Sequence, residues 1–404
     1  MAARNDQFEA SASALGYLYQ FAKALHLCIE QSMGGPGWSV AVEGADDIEK
    51  HAGSLTELLQ LKQRAEGVRL TDSATDLWKT LRIWCLAAST GQVSLPETNF
   101  FLMTTAELPD GTAGYHLQPR ASGHRDEKVA LALLQKARAA SKNDDLTKAF
   151  EAFDALNGAC GPGQNALLAR VDVIGGAPRI DEVREKMLGH ARLVVGDNLA
   201  KPFLTRLEGW FYDRVIEQLR TKGGAPVTGE EFDQAFSELR HQFGPDNLPI
   251  DPDIAQWEPE PAESADKTFV RQLDLIGVGG ERIHLAIRDY VRAFDQRSRW
   301  SEEKLLRVGE LGAYERRLVE EWQARFADMR EELGDEATEA EMKREAREIY
   351  RWVDRDARAQ IRTGLEEVFI PKGSYQMLAD ELKVGWHPDF SARLMALLEP
   401  SGAH

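Results

Sequence analysis

The sequence predicts an α/β domain with a mixed sheet, followed by a mostly helical domain. Helical and strand periodicities alternate through the first half, and its apolar strand runs need a layer on each side. Beyond residue 268 the sustained apolar spacing is helical. A chain of 404 residues is long enough for two or three separate cores. The expected division is 1–220, a linker over 221–267 with one short helix, and 268–404.

Taken in order, Leu15, Leu18, Tyr19, Ala22 and Leu25 give a helix over 11–31, which GGPG at 34–37 breaks. A strand follows near 38–43. ADDIEKH then leads through the Gly53–Ser54 turn into ELLQLKQR, a second core strand. A helix begins near Asp76, with Leu77, Trp78, Leu81, Trp84 and Cys85 on a broad apolar face, and NFFLMTT at 99–105 reads as a third strand. Residues 109–126 form a polar loop. Helices are expected over 127–140 and 145–157, a strand over 166–174, a helix in IDEVREKMLGHARLVV, and another over 203–220. The Gly-, Pro- and acid-rich stretch from 221 to 267 contains one periodic helix at 229–242. In the remainder, Ile283, Ile287, Tyr290, Val291 and Phe294 mark one helical face. Further helices fall at 302–333, 335–358 and 359–368, with Trp300, Trp322 and Trp352 as core anchors.

The composition, 43% hydrophobic and 28% charged, is that of a globular chain. No apolar run reaches the roughly 20 residues that span a bilayer, and the N-terminus lacks the pattern of a signal peptide, so the expected location is cytoplasmic and away from membranes. A formal net charge of -17 argues against coating nucleic acid with the whole surface but leaves room for a local channel. Cys28, Cys85 and Cys160 read as small buried residues, with neither disulfide nor zinc spacing. GVGGERI at 277–283 lacks the strand–loop–helix order and the Gly-Lys-Ser/Thr ending of phosphate-binding loops.

The chemistry concentrates in WSVAVEGADDIEKHAGSLTELLQLKQR. Alternation along a strand puts Gln60 and Lys62 on one face, with Leu58 sharing it. A lysine inside a strand pays desolvation unless an anion compensates. Carboxylates of the preceding DDI segment can lie beside it, and oxygen ligands of this kind suit Mg²⁺. Such a set can hydrolyse a phosphodiester, with Asp47 as metal ligand and Lys62 orienting or activating water. Gln60 offers only a neutral carbonyl oxygen, which leaves Glu43 or Asp46 to complete the anionic set. Spacing alone favours the plainer reading, a partly exposed structural ion pair.

ALGYLYQ at 14–20, VEGADDIEKH at 42–51 and ELLQLKQR at 57–64 together resemble the duplex-DNA endonuclease domain of CD-NTase-associated effectors, a branch of the restriction-endonuclease-like PD-(D/E)xK superfamily. LEGWFYDRVIEQL at 207–219 resembles the end of such domains. The resemblance implies catalytic roles for Gln20, Glu43, Asp47, Gln60 and Lys62, with Glu43, Asp47 and Gln60 as ligands of Mg²⁺ or its substitute Mn²⁺. Gln60 departs from the acid commoner at that place. LDLIGVGGERIHLAIRDYVRAFDQRSRW, YERRLVEEW and PKGSYQMLADELKVGWHPDF resemble the C-terminal domain of bacterial ABC-type three-component defence systems, including Lamassu. Together the two resemblances imply a nuclease effector that cuts double-stranded DNA after activation. Its implied partners are an SMC-like ATPase, a small accessory subunit, and further copies of its own nuclease domain. An inactive nuclease-like scaffold and a nuclease acting on RNA or single strands stand as alternatives.

Lys50, Arg64 and Arg69 flank the expected site and are candidate phosphate contacts. Tyr17 and Tyr19 fit ordinary helix packing with buried rings, and Gln20 fits either packing or a place beside the metal. His51 reads as structural or solvent-exposed, and His387 as locking a turn. Arg297 and Arg299 read as helix-end salt bridges.

Overall fold

The computed structural model describes residues 2–158, 161–221, 223–260 and 266–398, with side chains from residue 14 to 395; Cys160 lies outside this set. The chain forms two compact units, Met1–Glu238 and Leu239–His404.

In the first unit, α1 (Ala2–Ser32) leads into three antiparallel strands, β1 (Trp38–Val42), β2 (Ile48–Ala52) and β3 (Leu55–Lys62). After α2 (Thr75–Ser89), β4 (Thr98–Thr104) joins β3 in parallel. The short α3 (Ala113–His116), then α4 (Glu127–Ala140), α5 (Thr147–Ala155) and α6 (Gln164–Leu168), precede β5 (Val171–Ile174), which is parallel to β4. Next come α7 (Ile180–Val195) and α8 (Asp197–Arg220), and β6 (Val227–Thr228) pairs with the outer edge of β1. Among the described residues the sheet is therefore six-stranded and mixed, in the order β5-β4-β3-β2-β1-β6. Leu58, Trp78, Leu81, Trp84, Phe100 and Leu102 lie in one large apolar cluster between this sheet and the helices beside it.

Strand β2 is a separate element that the sequence did not announce, because IEKHA has little apolar content. Only Ile48 is fully buried; Lys50 is hidden by a cross-strand ion pair with Glu57 at 3.1 Å, and His51 bonds Glu49 and Thr56. The expected strand at 166–174 starts only at Val171. Before it, Gln164 donates its side-chain amide to Phe153 O and takes its own backbone anchor from Asn157, closing the short α6. Arg125 then binds the carbonyls of Leu168 and Val171, turning the chain into β5.

The stretch expected as a linker is mostly packed. Val227 and Phe232 are buried in the first unit, where Phe232 meets Trp38 and Trp210. The division falls within α9 (Gly229–Gln242). Leu248 and Ile254 are buried in the second unit, and Asp251 is tied to Gln296. A few apolar side chains spread through a polar background do this, which is why composition suggested a linker.

The second unit consists of α10 (Pro252–Ala255), α11 (Thr268–Leu275), α12 (Gly280–Glu302), α13 (Glu310–Leu333), α14 (Glu339–Arg355), α15 (Phe369–Asp380) and α16 (Phe390–Leu398). Residues 359–368 are not the helix expected there. Arg362 ties this segment to Asn247 O, Leu305 O and Glu310 instead, and Gly364 N donates to Asp246 O. Trp300, Trp322 and Trp352 are buried as anticipated; the Trp300 indole donates to Pro249 O and that of Trp322 to Gly385 O. No helix among the described residues is long and apolar enough to cross a membrane.

Helices α12 and α15 approach closely at Gly373, where an added Cβ would stand 2.0 Å from Asp289 O and 2.5 Å from Ala293 Cβ. Gly373→Ala should therefore lower stability by about 1–3 kcal/mol or more. At Gly312, in α13, the nearest atom to an added Cβ is 3.7 Å away on the flexible Arg316 side chain, so Gly312→Ala should gain up to about 1 kcal/mol from helix propensity. Urea unfolding of the two variants checks the pair; equal midpoints would contradict the packing described.

Candidate functional site

The turn between β1 and β2 is held from three sides. Gln218 of α8 clamps the end of β1, accepting from Val42 N at 3.4 Å and donating to Val42 O at 2.9 Å. Glu43 N donates to Asp47 O at 3.0 Å, closing the turn. Glu43 itself has φ 53, a left-handed conformation that costs a residue with a Cβ about 1–2 kcal/mol. Beside it, Gly44 leaves room for the Glu49 carboxylate, whose Oε2 would lie 2.6 Å from an added Cβ and which accepts from Ala45 N at 2.9 Å.

This turn delivers Asp47 to the end of β3. Asp47 Oδ2 accepts from Leu61 N at 2.7 Å and lies 4.0 Å from Lys62 Nζ. The far side of β3 is held by β4, with Thr105 N donating to Lys62 O at 3.1 Å and Arg64 N to the Thr105 hydroxyl at 2.7 Å. Around this junction opens a cavity of about 690 Å³, of the size of ligand sites generally. Its walls come from α1 (Leu15, Tyr17, Gln20), the β1–β2 turn (Glu43, Asp47), the end of β3 (Leu61–Ala65) and Arg179.

Its electrostatics are strained. Burial, and then the charge of Asp47, push the Glu43 carboxyl up, while hydrogen bonding with Gln20 and the charge of Lys62 pull it back. Gln20 is 9% exposed, and its Oε1 has no hydrogen-bond partner. A buried carbonyl oxygen without a donor, next to two acids, is an arrangement that a cation would relieve.

Four of the five residues expected to act together thus share one cavity: Gln20, Glu43, Asp47 and Lys62. Gln60 does not line it. It is 3% exposed, beside Leu102 in the strand register, one pleat back from Lys62. Between the two candidates for a second acid, Glu43 lines the cavity whereas Asp46 turns into the core. There the Trp84 indole donates to Asp46 Oδ2 at 2.5 Å and Asp47 N to Oδ1 at 3.0 Å. Among the expected phosphate contacts, Lys50 is buried against Glu57, and the Arg64 guanidinium is engaged by Asp76, so both cations are already taken up by carboxylates. Arg69 is exposed.

Tyr19 is buried, its hydroxyl donating to Pro178 O at 2.8 Å, but Tyr17 is 63% exposed on the cavity wall rather than packed. Helical spacing cannot separate the two rings, because both fit an apolar face. Arg179 has no spacing signal tying it to Lys62 and emerges only from the fold. His51 is half-buried within β2, and His387 is buried, with Nδ1 accepting from Asp389 N at 3.0 Å in a turn. Arg297 bonds Ser374 and Glu315, and Arg299 bonds Asp253. Cys28 and Cys85 are free and buried, and burial pushes both thiols up.

Residues 269–394, from α11 into α16, match the family model of C-terminal domain 7 of the ABC-three component (ABC-3C) systems. That match supports membership of such a multi-subunit defence system, and with it partnership with the system's other components. No curated protein and no solved structure matches the chain.

Burial raises the Asp46 carboxyl from 3.8 to about 6, against the opposing Trp84 hydrogen bond. The folded chain therefore keeps this proton at pH values where the unfolded chain has lost it, so Asp46 favours folding most below pH 4 and least above pH 6. Asp46→Asn has no such proton. Its stability relative to the wild type should improve by about 2 kcal/mol between pH 4 and pH 7, read from urea unfolding across that range. A gap that does not change with pH would refute this.

Proposed function

We propose that the chain is a divalent-metal-dependent nuclease that cuts double-stranded DNA by phosphodiester hydrolysis, as the effector of an ABC-3C defence system. The observation that carries this reading is the convergence of Asp47 and Lys62, 4.0 Å apart, in one open cavity with Glu43 and the unpartnered Gln20 oxygen. A structural ion pair alone gives no reason for a second carboxylate and an orphan acceptor to line the same space.

The oxygen donors fit Mg²⁺ or Mn²⁺. Glu43 and Asp47 would hold the ion, with Gln20 Oε1 within the same cavity. No cluster of three or more His, Cys, Asp or Glu side chains suited to a metal occurs among the described residues. An ion resting on two carboxylates, with water and substrate oxygens completing its shell, is the binding style of Mg²⁺. When bound, such an ion lowers the pKa of water and offsets charge on the attacked phosphate. The chain's own contribution is positional. Lys62 places a positive charge beside Asp47, where it can hold a phosphate oxygen or orient a water, and the Leu61 amide keeps Asp47 from turning away. One site per chain serves one strand, so cutting both strands calls for paired copies, most simply a symmetric dimer.

Lys62→Ala should lower Mg²⁺-dependent cleavage of duplex DNA by at least about 100-fold with circular dichroism unchanged. Asp47→Asn, which retains an acceptor for Leu61 N, should do the same and also weaken Mn²⁺ binding measured by calorimetry. The assay compares duplex DNA, single-stranded DNA and RNA, with Mg²⁺ or with chelator. Cleavage of RNA or single strands alone would replace the substrate. Equal activity of Lys62→Ala and the wild type would overturn the site.

A further inference from the structure

The segment joining β5 to α7 contributes one side chain to the cavity, Arg179, and its backbone is fixed on three sides. Gly176 N donates to Ala106 O and Ala177 N to Thr104 O, both at 2.9 Å, so the chain leaves the sheet in register with the strand ends. Pro178 O accepts the hydroxyl of Tyr19, a residue 1% exposed, which ties the segment to α1 directly behind Gln20. Arg179 N donates to Glu182 Oε2 at 2.7 Å, so this carboxylate is engaged by the backbone.

The cavity's cations can then be compared. Lys62 is matched with Asp47, and Arg64 with Asp76. Among the described residues, no carboxylate stands within ion-pairing distance of the Arg179 guanidinium. A partly buried arginine on a cavity wall, without a counter-charge, is poised for an anion. Its planar fork suits two oxygens of one phosphate, which a lysine cannot match. Glu43 and Asp47 bring two carboxylates to the same cavity, so a free monoanion has little reason to settle there alone. A polyanion that also contacts Lys62 does.

We propose that Arg179 is a positioning residue that binds a backbone phosphate of the nucleic-acid substrate, on a different wall from the phosphate that meets Lys62. The proposal rests on the nuclease reading of the cavity and adds a second point of attachment to it. Two attachments on separate walls fix the direction of the strand across Asp47, which a single contact cannot do. Because Arg179 holds an unreacting phosphate, it acts on binding and alignment more than on the bond that breaks.

The test uses the full chain and a fluorescent duplex of defined length. Binding is measured by anisotropy in chelator between about 50 and 200 mM salt, and steady-state cleavage in Mg²⁺. Arg179→Ala should bind about tenfold more weakly, and its plot of log affinity against log salt should be shallower by about 0.9. Its KM should rise with kcat within about twofold of wild type. Arg179→Lys should recover most of the salt slope but only part of the affinity. Arg179→Gln, which keeps the first three side-chain carbons and a polar end without the charge, should behave as Arg179→Ala and guards against an effect of lost packing. Arg120→Ala is the control for net charge, since Arg120 is exposed and lies outside the cavity wall, and it should leave the slope unchanged. Wild-type slope and KM in Arg179→Ala, alongside normal cleavage by the wild type, would overturn the Arg179 assignment and leave the nuclease reading standing. A wild-type chain that neither binds nor cuts the duplex would overturn both.

Discussion

At the end of β3 the backbone amide of Leu61 has run out of strand. The antiparallel ladder with β2 begins at the pair Ile48–Leu59, so no β2 residue lies opposite Leu61 to accept from it on that side. Asp47 Oδ2 takes that N–H at 2.7 Å, replacing the missing ladder bond with a charge-assisted one. Leaving a buried amide unsatisfied costs about 1–3 kcal/mol, so the carboxylate is held in place by the needs of the backbone. Everything around the cavity follows from that constraint. Asp47 comes within 4.0 Å of Lys62, the turn closes behind it through Glu43 N, and Glu43 is forced into a left-handed conformation that brings its carboxylate to the same space.

Adjacent acids then acquire different properties from different surroundings. Asp46 and Asp47 are neighbours in sequence, yet one is buried on an indole and pushed up to about 6, while the other caps a strand at the edge of a cavity. Burial alone does not make a functional group, and Asp46 illustrates this: both its oxygens are occupied by donors that no ligand could easily displace. The same principle sorts the cations. Lys50 and Arg64 carry charge that is internally spent, whereas Arg179 carries charge that is not. In a chain with a net charge of -17, local attraction for a polyanion has to be built from a few uncompensated groups rather than from the surface as a whole.

The linear sequence by itself determined the helix–strand–helix alternation, the helical second half, the apolar core positions including Trp84, Trp300 and Trp322, and the residue types around Asp47 and Lys62. These depend on local periodicity and on side-chain chemistry, which are readable without partners. Tertiary structure alone decided the rest. It made IEKHA a strand by pairing Lys50 with Glu57. It packed Val227, Phe232 and Ile254 out of an apparent linker, and replaced the helix expected at 359–368 with a segment pinned by Arg362. It separated Gln60 from the cavity, turned Asp46 inward and Tyr17 outward, and brought Arg179 to the cavity that Lys62 also lines, from more than a hundred residues away in sequence. The reason in each case is that a polar side chain's role is set by which donor, acceptor or charge meets it across the fold, and such meetings leave no spacing in the chain.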